Sequence, residues 1–325
     1  MSGTDQQYVQ SPKQQTAALV LYLNTERAQW WRDHLQNLLP AIECRLWDSA
    51  GDPADVLYAV VWRPPTGWLK RFNNLQCILS IGAGIDHILE DTELPAGIPV
   101  IRTTGADLTQ RMREYVCLHV LRLHRHSVET ELAQRERRWQ NRIVPVAGER
   151  NVGVMGLGNL GTACAKSLHA LGFNVAGWAR QKHSIDGIRC FAGDADLPHF
   201  LSTIDILVCL LPLTPATKNI LCRSLFRQLR TGASIINVGR GAHLVEEDLL
   251  DALENGQLSF ATLDVFRTEP LPKEHPFWLH KQITVTPHIA SMIDPDTGGK
   301  EIAANLMRFI NNEPIDDLAS RDEGY

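Results

Sequence analysis

The chain has 325 residues and a formal net charge of −5, and 44% of its residues are hydrophobic. This length and apolar content are sufficient for two domains with cores of their own. The charge shows no basic excess typical of nucleic-acid-binding proteins. No apolar run approaches the ~18 residues of a membrane span. We therefore expect a protein that binds neither nucleic acid nor a membrane.

Seven cysteines are scattered through the chain, mostly within apolar runs. An odd number without regular spacing indicates reduced thiols and a cytoplasmic protein. No closely spaced Cys/His cluster predicts a metal site. His119, His124 and His126 are separated by five and two residues, which does not place two of them one helical turn apart, so no metal is expected there either.

The polar residues 1–16 are predicted to be a flexible tail, because they contain neither an apolar stretch nor a strand pattern. Apolar runs then alternate with amphipathic segments. The runs predict ten strands: Ala17–Leu23, Val56–Trp62, Cys77–Ile81, Ile98–Ile101, Asn151–Met155, Asn174–Trp178, Ile206–Leu211, Ser234–Val238, Ala261–Val265 and Ile283–Thr286. Helical patterns lie between many of the strands, among them Leu160–Leu171, Glu246–Leu253 and Asp296–Ile310.

Nearly continuous apolar strands between helices are typical of parallel sheets covered on both faces. We predict an α/β protein with two Rossmann-like domains. A dinucleotide-binding domain, residues 108–290, would be inserted in a discontinuous substrate domain, residues 17–107 plus 291–325. A cleft between two such domains is where catalysis is expected.

Arginine-rich residues 110–142 carry an apolar stripe at helical spacing: Met112, Val116, Val120 and Leu123. This favours a helix at an interdomain or subunit interface over a nucleic-acid site.

The segment "VMGLGNLG" follows a predicted strand and precedes a predicted helix. Gly156 would allow a tight turn, Gly158 would let a pyrophosphate approach the backbone, and Gly161 would let the helix pack on the strand. Asn159 and Leu160 would present the helix N-terminus, which favours negative charge. The context predicts a dinucleotide site.

An acidic residue that binds the ribose 2′-OH of NAD is expected about 20 residues after this turn. The sequence "GWARQKHSIDG" has no carboxylate there until Asp186. Arg180, supported by Lys182 and His183, suits a 2′-phosphate instead. We expect a preference for NADP(H) with NAD(H) possible; alternatively, Arg180 stacks on the adenine.

Arg240, Glu269 and His288 each lie at or just beyond the end of a predicted strand, where open α/β sheets bind ligands. Histidine titrates close to neutrality and can protonate a nascent alkoxide. A carboxylate can orient the imidazole and raise its pKa, and a guanidinium can bind a substrate carboxylate and polarise its carbonyl. Together they predict proton-coupled hydride transfer to a 2-oxo acid.

"NVGRGA", "LDVFRTEPLP" and "TPHIA" carry these three residues, and the chain resembles the D-isomer-specific 2-hydroxyacid dehydrogenases in these motifs. "VVWRPP", "IGAGIDHIL", "LVEEDLL" and the terminal "GY" extend the similarity over essentially the whole chain beyond the tail. The resemblance implies an NADPH-dependent reductase of small 2-oxo acids such as glyoxylate and hydroxypyruvate, and a homodimer.

The resemblance also implies further site residues. Substrate would meet the backbone of Ala83, Gly84 and Ile85 as well as Trp62. Asp264 would bond the nicotinamide amide, and residues of the other strand ends would line the cofactor: Leu211, Pro212, Thr217 and Val238. Each has a structural alternative, such as packing for Trp62 or turn capping for Asp264.

Two other functions stay open at this point. One is an NAD-dependent dehydrogenase of bulkier D-2-hydroxy acids, which Arg180 disfavours. The other is a non-catalytic dinucleotide-sensing scaffold, for which the sequence offers no partner motif or long disordered arm.

Overall fold

The computed structural model describes residues 17–23 and 26–320. The predicted tail, residues 1–16, and the terminal "GY" lie outside these residues. Twelve strands occur in the described part of the chain: β1 Ala18–Leu23, β2 Glu43–Leu46, β3 Val56–Trp62, β4 Cys77–Ser80, β5 Val100–Ile101, β6 Asn151–Met155, β7 Asn174–Ala179, β8 Arg189–Ala192, β9 Ile206–Cys209, β10 Ala233–Asn237, β11 Leu258–Leu263 and β12 Ile283–Val285.

The same residues contain nine α-helices: α1 Ala28–Leu38, α2 Asp86–Leu89, α3 Ala106–His124, α4 Ser127–Arg135, α5 Asn159–Ala170, α6 Gly193–Leu201, α7 Arg223–Phe226, α8 Glu246–Glu254 and α9 Pro295–Ile310. Short 3-10 turns supplement them, among them Gly241–His243 and Pro276–Leu279. No helix within residues 17–23 and 26–320 is both long and apolar enough to cross a membrane.

The strands form two sheets in which every strand pairing is parallel. The first sheet has the order β2-β1-β3-β4-β5 and the second has the order β12-β11-β10-β9-β6-β7-β8. The predicted α/β class with two Rossmann-like parallel sheets is therefore confirmed.

The chain divides into two compact units. The first holds the described residues of 17–83, 87–103 and 298–319, and the second holds residues 84–86, 104–297 and 320. The assignment of residues 17–107 plus 291–325 to substrate and of residues 108–290 to the dinucleotide stays a prediction.

In the first unit, the C-terminal segment returns to the sheet that the N-terminal segment begins. Arg102 N–H donates to the carbonyl of Asp317, and Ala319 N–H donates to that of Val100, both at 2.9 Å. These bonds extend the edge at β5 with an antiparallel bridge between Ile101 and Leu318. Residues 317–319 of this unit therefore complete the edge of the five-stranded sheet.

In the second unit, side chains alternate between the two faces of the seven-stranded sheet, as the period of a strand requires. One face buries Met155 and Leu207 against α6, α7 and α8. The other buries Val154 and Val208 against α3 and α5. Both faces are covered, which explains why the strands of the sheet interior are continuous apolar runs.

The helix predicted from the apolar stripe at residues 112–123 is observed as α3, but helix does not continue through the whole arginine-rich segment 110–142. α3 ends at His124, α4 begins at Ser127, and residues 136–146 are not helical. His126 has a φ of 54°, a left-handed conformation that interrupts a right-handed helix. Its Nδ1 contacts a carboxylate oxygen of Glu129 at 2.6 Å, which holds the interruption in place.

Candidate active site

The glycine-rich turn joins β6 to α5 in the second unit. Gly156 has a φ of 98°, which favours glycine, and its N–H donates to the carbonyl of Trp178 at 2.8 Å. A Cβ on Gly161 would lie 1.8 Å from the carbonyl oxygen of Gly156, so the helix and the turn pack at a distance that only glycine allows.

Gly158 differs from these two glycines, because a Cβ there would meet nothing within 4 Å. Gly158 is exposed and is the N-cap residue of α5, and Asn159 and Leu160 lie in the first turn of the helix. The helix N-terminus therefore presents backbone N–H groups beside open space, an arrangement that fits a pyrophosphate.

The position of this turn in the sheet is also favourable. β6 is flanked by β7 on one side and β9 on the other, so the connections leave in opposite directions at its carboxyl end. Such a switch point is where open α/β sheets bind ligands.

The loop that follows β7 carries the predicted phosphate-binding residues. Trp178 and Ala179 are buried, whereas Arg180, Lys182 and His183 are exposed. The side chain of Lys182 has no hydrogen-bond or ion-pair partner in the described part of the chain. All three residues are thus exposed in the loop that follows the strand next to the glycine turn.

The predicted residues after β9 and β10 also follow strand ends. Leu211 and Val238 are buried, and Pro212 and Thr217 are partly exposed. Thr217 donates from its hydroxyl to the carbonyl of Pro212 at 2.7 Å, which closes the loop on itself. This bond gives the loop a fixed shape whatever it contacts.

Arg240 follows β10, has an extended backbone conformation, and its guanidinium contacts the carboxylate of Asp86. Its Nε lies 2.9 and 3.0 Å from the two carboxylate oxygens of Asp86, and its Nη1 donates to the carbonyl of Gly239 at 2.9 Å. A Cβ on Gly84 would lie 1.6 Å from Nη2. The structure therefore brings together the predicted residues Gly84 and Arg240.

His243 supports the backbone of Arg240. Its Nδ1 accepts from the N–H of Arg240 at 3.0 Å, and its Nε2 lies 3.2 Å from the carbonyl of Pro212. Burial lowers the pKa of His243 to about 4, so the ring is neutral with its proton on Nε2.

Glu269 and His288 form the second predicted pair. Oε2 of Glu269 lies 2.8 Å from Nδ1 of His288, and Oε1 accepts from the N–H of Phe266 at 2.9 Å. The side chains of Glu269 and His288 are 14% and 28% exposed, so the imidazole remains accessible while the carboxylate is largely withdrawn. This geometry can hold an imidazole in one orientation for proton transfer.

Asp264 is buried, and its carboxylate holds the loop that carries the histidine. It accepts from the Thr286 hydroxyl at 2.6 Å and from the N–H groups of Ile289 and Ala290 at 2.9 and 2.8 Å. Burial raises the pKa of Asp264. These contacts are those of a turn cap; the bond to a nicotinamide amide stays a prediction.

The remaining predicted substrate residues follow two neighbouring strands: Trp62 is the last residue of β3, and Ala83 and Ile85 follow β4. Trp62 packs against His87, with ring centroids 4.6 Å apart, and a Cβ on Gly82 would lie 3.1 Å from the Trp62 ring. Ile85 is buried and Ala83 is partly exposed.

Sequence reasoning missed Asp86, His243 and the pair formed by Tyr115 and Thr286, whose hydroxyls are 2.6 Å apart. Asp86 lies within the quoted motif "IGAGIDHIL", but its partner is 154 residues away in the sequence. His243 follows Arg240 by three residues, a spacing at which side-chain to backbone bonds are common, and this signal was available.

Comparison with known proteins decides the family. The family model of the D-isomer specific 2-hydroxyacid dehydrogenase, NAD binding domain, matches residues 117–290. A glyoxylate/hydroxypyruvate reductase A of Serratia proteamaculans is 43% identical, with 89% of this chain and 94% of the relative covered. The chain belongs to the D-isomer specific 2-hydroxyacid dehydrogenase family.

Solved structures of this family have the same fold. A D-isomer specific 2-hydroxyacid dehydrogenase of Xanthobacter autotrophicus Py2, in complex with NADPH and MES, superposes with a TM-score of 0.90 at 39% identity, covering 95% of this chain and 100% of that one. An NADPH-dependent glyoxylate/hydroxypyruvate reductase of Sinorhizobium meliloti, in complex with NADP and sulfate, gives 0.90 at 33% identity with the same coverages. The comparisons confirm the resemblance to this family that the sequence motifs predicted.

Proposed function

We propose that this protein is an NADPH-dependent reductase of small 2-oxo acids, which converts glyoxylate to glycolate and hydroxypyruvate to D-glycerate. The observation that carries the proposal is the pair formed by Glu269 and His288, with Nδ1 2.8 Å from the carboxylate. Relatives at 36–43% identity are glyoxylate/hydroxypyruvate reductases A, which supports this substrate class.

His288 is the proposed proton donor. Nδ1 contacts the carboxylate of Glu269, and Nε2 is the atom proposed to donate the proton to the substrate oxygen. Protonation of the forming alkoxide by His288 completes the reduction. A hydride is the other requirement of this chemistry, and bound NADPH supplies it.

Arg240 is the proposed substrate-binding cation. A planar guanidinium can offer two parallel N–H groups to a carboxylate and a neighbouring carbonyl oxygen. Backbone N–H groups of Ala83, Gly84 and Ile85 would add donors to the same carboxylate, and Trp62 would contact the substrate. These roles rest on the positions of the residues in the motif "IGAGID" and at strand ends.

The glycine turn and the loop after β7 would hold the cofactor. The open space at Gly158 fits the pyrophosphate at the N-terminus of α5. Arg180, with Lys182 and His183 beside it, would bind the 2′-phosphate, because no carboxylate there would repel it. Asp264 would bond the nicotinamide amide, and Leu211, Pro212, Thr217 and Val238 would line the cofactor.

Steady-state reduction of glyoxylate by the purified protein tests the proposal, with NADPH and NADH at matched concentrations. We expect a kcat/KM at least about tenfold higher with NADPH. Turnover with NADH alone would favour a dehydrogenase of the NAD-dependent type, to be followed with bulkier D-2-hydroxy acids. Tight binding of NADPH without turnover of any 2-oxo acid would favour the dinucleotide-sensing scaffold.

A homodimer is the proposed assembly. Leu118 on α3 is 59% exposed. In the segment beyond α4, Trp139 and Ile143 are almost fully exposed and Val146 is 68% exposed. Apolar side chains exposed in this number favour burial in a protein interface. Light scattering after gel filtration should give twice the chain mass, and Ile143→Asp should shift it towards the monomer.

The cytoplasm is the proposed location. Its support is the set of seven free thiols, which persist in a reducing compartment. Cell fractionation with antibody detection tests it, and recovery from a secreted fraction would contradict it.

A further inference from the structure

The acidic partner of Arg240 has no role in the chemistry proposed above. Both carboxylate oxygens of Asp86 accept from the Nε–H of Arg240, and Nη2 of Arg240 lies 2.9 Å from Oδ1. The two side chains are 17% and 19% exposed, so water screens this ion pair less than it screens a surface pair. The contact fixes the plane of the guanidinium.

Two further contacts restrict the same group. Nη1 donates to the carbonyl of Gly239. Gly84 lies so close to Nη2 that any side chain at this position would displace it. The guanidinium is therefore held along its Nε edge, at Nη1 and against the backbone of Gly84.

A guanidinium carries five N–H groups. The Nε proton and one Nη1 proton have acceptors, and Nη2 faces Asp86. The edge between Nη1 and Nη2 has no further hydrogen-bond acceptor within residues 17–23 and 26–320. Its two N–H groups run parallel, at the spacing of two oxygens in a planar 2-oxo acid.

We propose that Asp86 is a positioning residue for Arg240, which presents the Nη1–Nη2 edge to the substrate and offsets the charge of the guanidinium. The inference rests on the proposed function. A guanidinium already paired with a carboxylate attracts a second anion less strongly. Asp86 would thus reduce the binding of unreactive anions while it keeps the orientation that the reaction needs.

This role predicts a loss of turnover without a loss of anion binding. In Asp86→Asn the guanidinium loses its orienting carboxylate but gains uncompensated charge. The kcat for glyoxylate should fall about 10- to 100-fold, because misplaced binding groups cost rate. The inhibition constant of oxalate, an unreactive dicarboxylate, should stay equal or fall several-fold. The dissociation constant of NADPH should change less than about twofold.

Two further variants separate positioning from fold stability. Asp86→Glu keeps the charge but displaces the carboxylate, so kcat should fall while the affinity for oxalate stays that of the wild type. Asp205→Asn breaks another ion pair of the same unit, with Arg230 at 3.1 Å, in which Asp205 is 14% and Arg230 50% exposed and which lies at the opposite ends of the strands. It should lower the melting temperature without changing kcat or oxalate inhibition.

The outcomes distinguish the two proposals. An active wild type with an unchanged kcat in Asp86→Asn would overturn the positioning role and leave the proposed function intact. A parallel loss of kcat, oxalate affinity and melting temperature would show that Asp86 only stabilises the fold. A wild type that reduces no 2-oxo acid would overturn the proposed function and the positioning role together.

Discussion

The imidazole Nδ1 of His288 lies 2.8 Å from a carboxylate oxygen of Glu269. The other oxygen of this carboxylate is held by the backbone N–H of Phe266, so the acid cannot rotate away without losing a bond. His288 itself has a φ of 54°, and its N–H donates to the carbonyl of Asp264. A left-handed non-glycine residue costs free energy, and such residues concentrate at functional sites.

Glu269→Gln should lower kcat by about 100-fold, because the carboxylate that contacts Nδ1 and orients the imidazole for proton transfer is lost. KM for the 2-oxo acid should change little, since Glu269 contacts the histidine and not the proposed carboxylate site. Single-turnover and steady-state kinetics with NADPH measure both. An unchanged kcat would contradict the role of Glu269 in orienting His288.

Two glycines of the same turn should respond differently to alanine. Gly161→Ala places a Cβ against the carbonyl oxygen of Gly156, and backbone there cannot yield, so unfolding free energy should fall by about 2 kcal/mol or more. In Gly158→Ala the added Cβ meets no protein atom within 4 Å, so the melting temperature should equal that of the wild type. Its affinity for NADPH should nevertheless fall about tenfold, because the methyl would occupy the pyrophosphate position. Thermal melts and fluorescence titration test the pair, and equal NADPH affinity in Gly158→Ala would refute this placement.

Arg180→Ala should raise KM for NADPH about tenfold or more and leave KM for NADH nearly unchanged, because only NADPH carries the 2′-phosphate. Arg227→Ala removes another exposed arginine of the same unit and serves as the control. The ratio of the two KM values is the measurement. If it is the same in Arg180→Ala and the wild type, Arg180 does not select the cofactor.

Acid should destabilise the protein through His243. Its folded pKa of about 4 lies below the ordinary value of 6.5, so the unfolded chain binds more protons between these limits. Stability is therefore fully present above pH 6.5 and falls as the pH decreases towards 4, by roughly 3 kcal/mol from this one group. His243→Asn keeps an acceptor near the Arg240 N–H and should flatten the dependence.

Urea unfolding at several pH values measures this slope. The exposed His169, changed to Asn, is the matched control and should retain the wild-type slope. A slope in His243→Asn as steep as that of the wild type would assign the effect to other groups.

Four thiols should resist modification in the folded protein. Cys44, Cys77, Cys164 and Cys209 are buried, and burial raises the pKa of the first to about 11 and of the other three to about 12. Since the thiolate is the reactive form, a disulfide reagent should modify at most the other three cysteines until denaturant is added. Rapid reaction of all seven would contradict the burial.

The sequence predicted the interior strands better than the edges. Val56–Trp62 and Asn151–Met155 were predicted with the bounds observed, because both faces of a central strand are covered and most of its residues are apolar and buried. Glu43–Leu46 and Arg189–Ala192 were missed. They are edge strands, and their partly exposed side chains break the apolar run on which the prediction depends.

The site followed a similar rule. Residues at strand ends in recognisable motifs, such as Arg240 and His288, could be found because parallel strands bring their carboxyl ends to one edge. The pairing of Arg240 with Asp86 could not, since it joins segments 154 residues apart and depends on how the turn near Gly84 is built. Sequence spacing carries no information on such a contact.

The C-terminal segment that completes the five-stranded sheet has a consequence for biosynthesis. The bonds of Val100 and Arg102 with Ala319 and Asp317 can form only after the ribosome has made residue 319. Residues 104–297 emerge earlier as one continuous stretch, and domains generally fold as they emerge. The unit that begins first is therefore finished last, and its unfinished edge needs protection during synthesis. A truncation before residue 298 should leave this unit dependent on chaperones while the second unit folds.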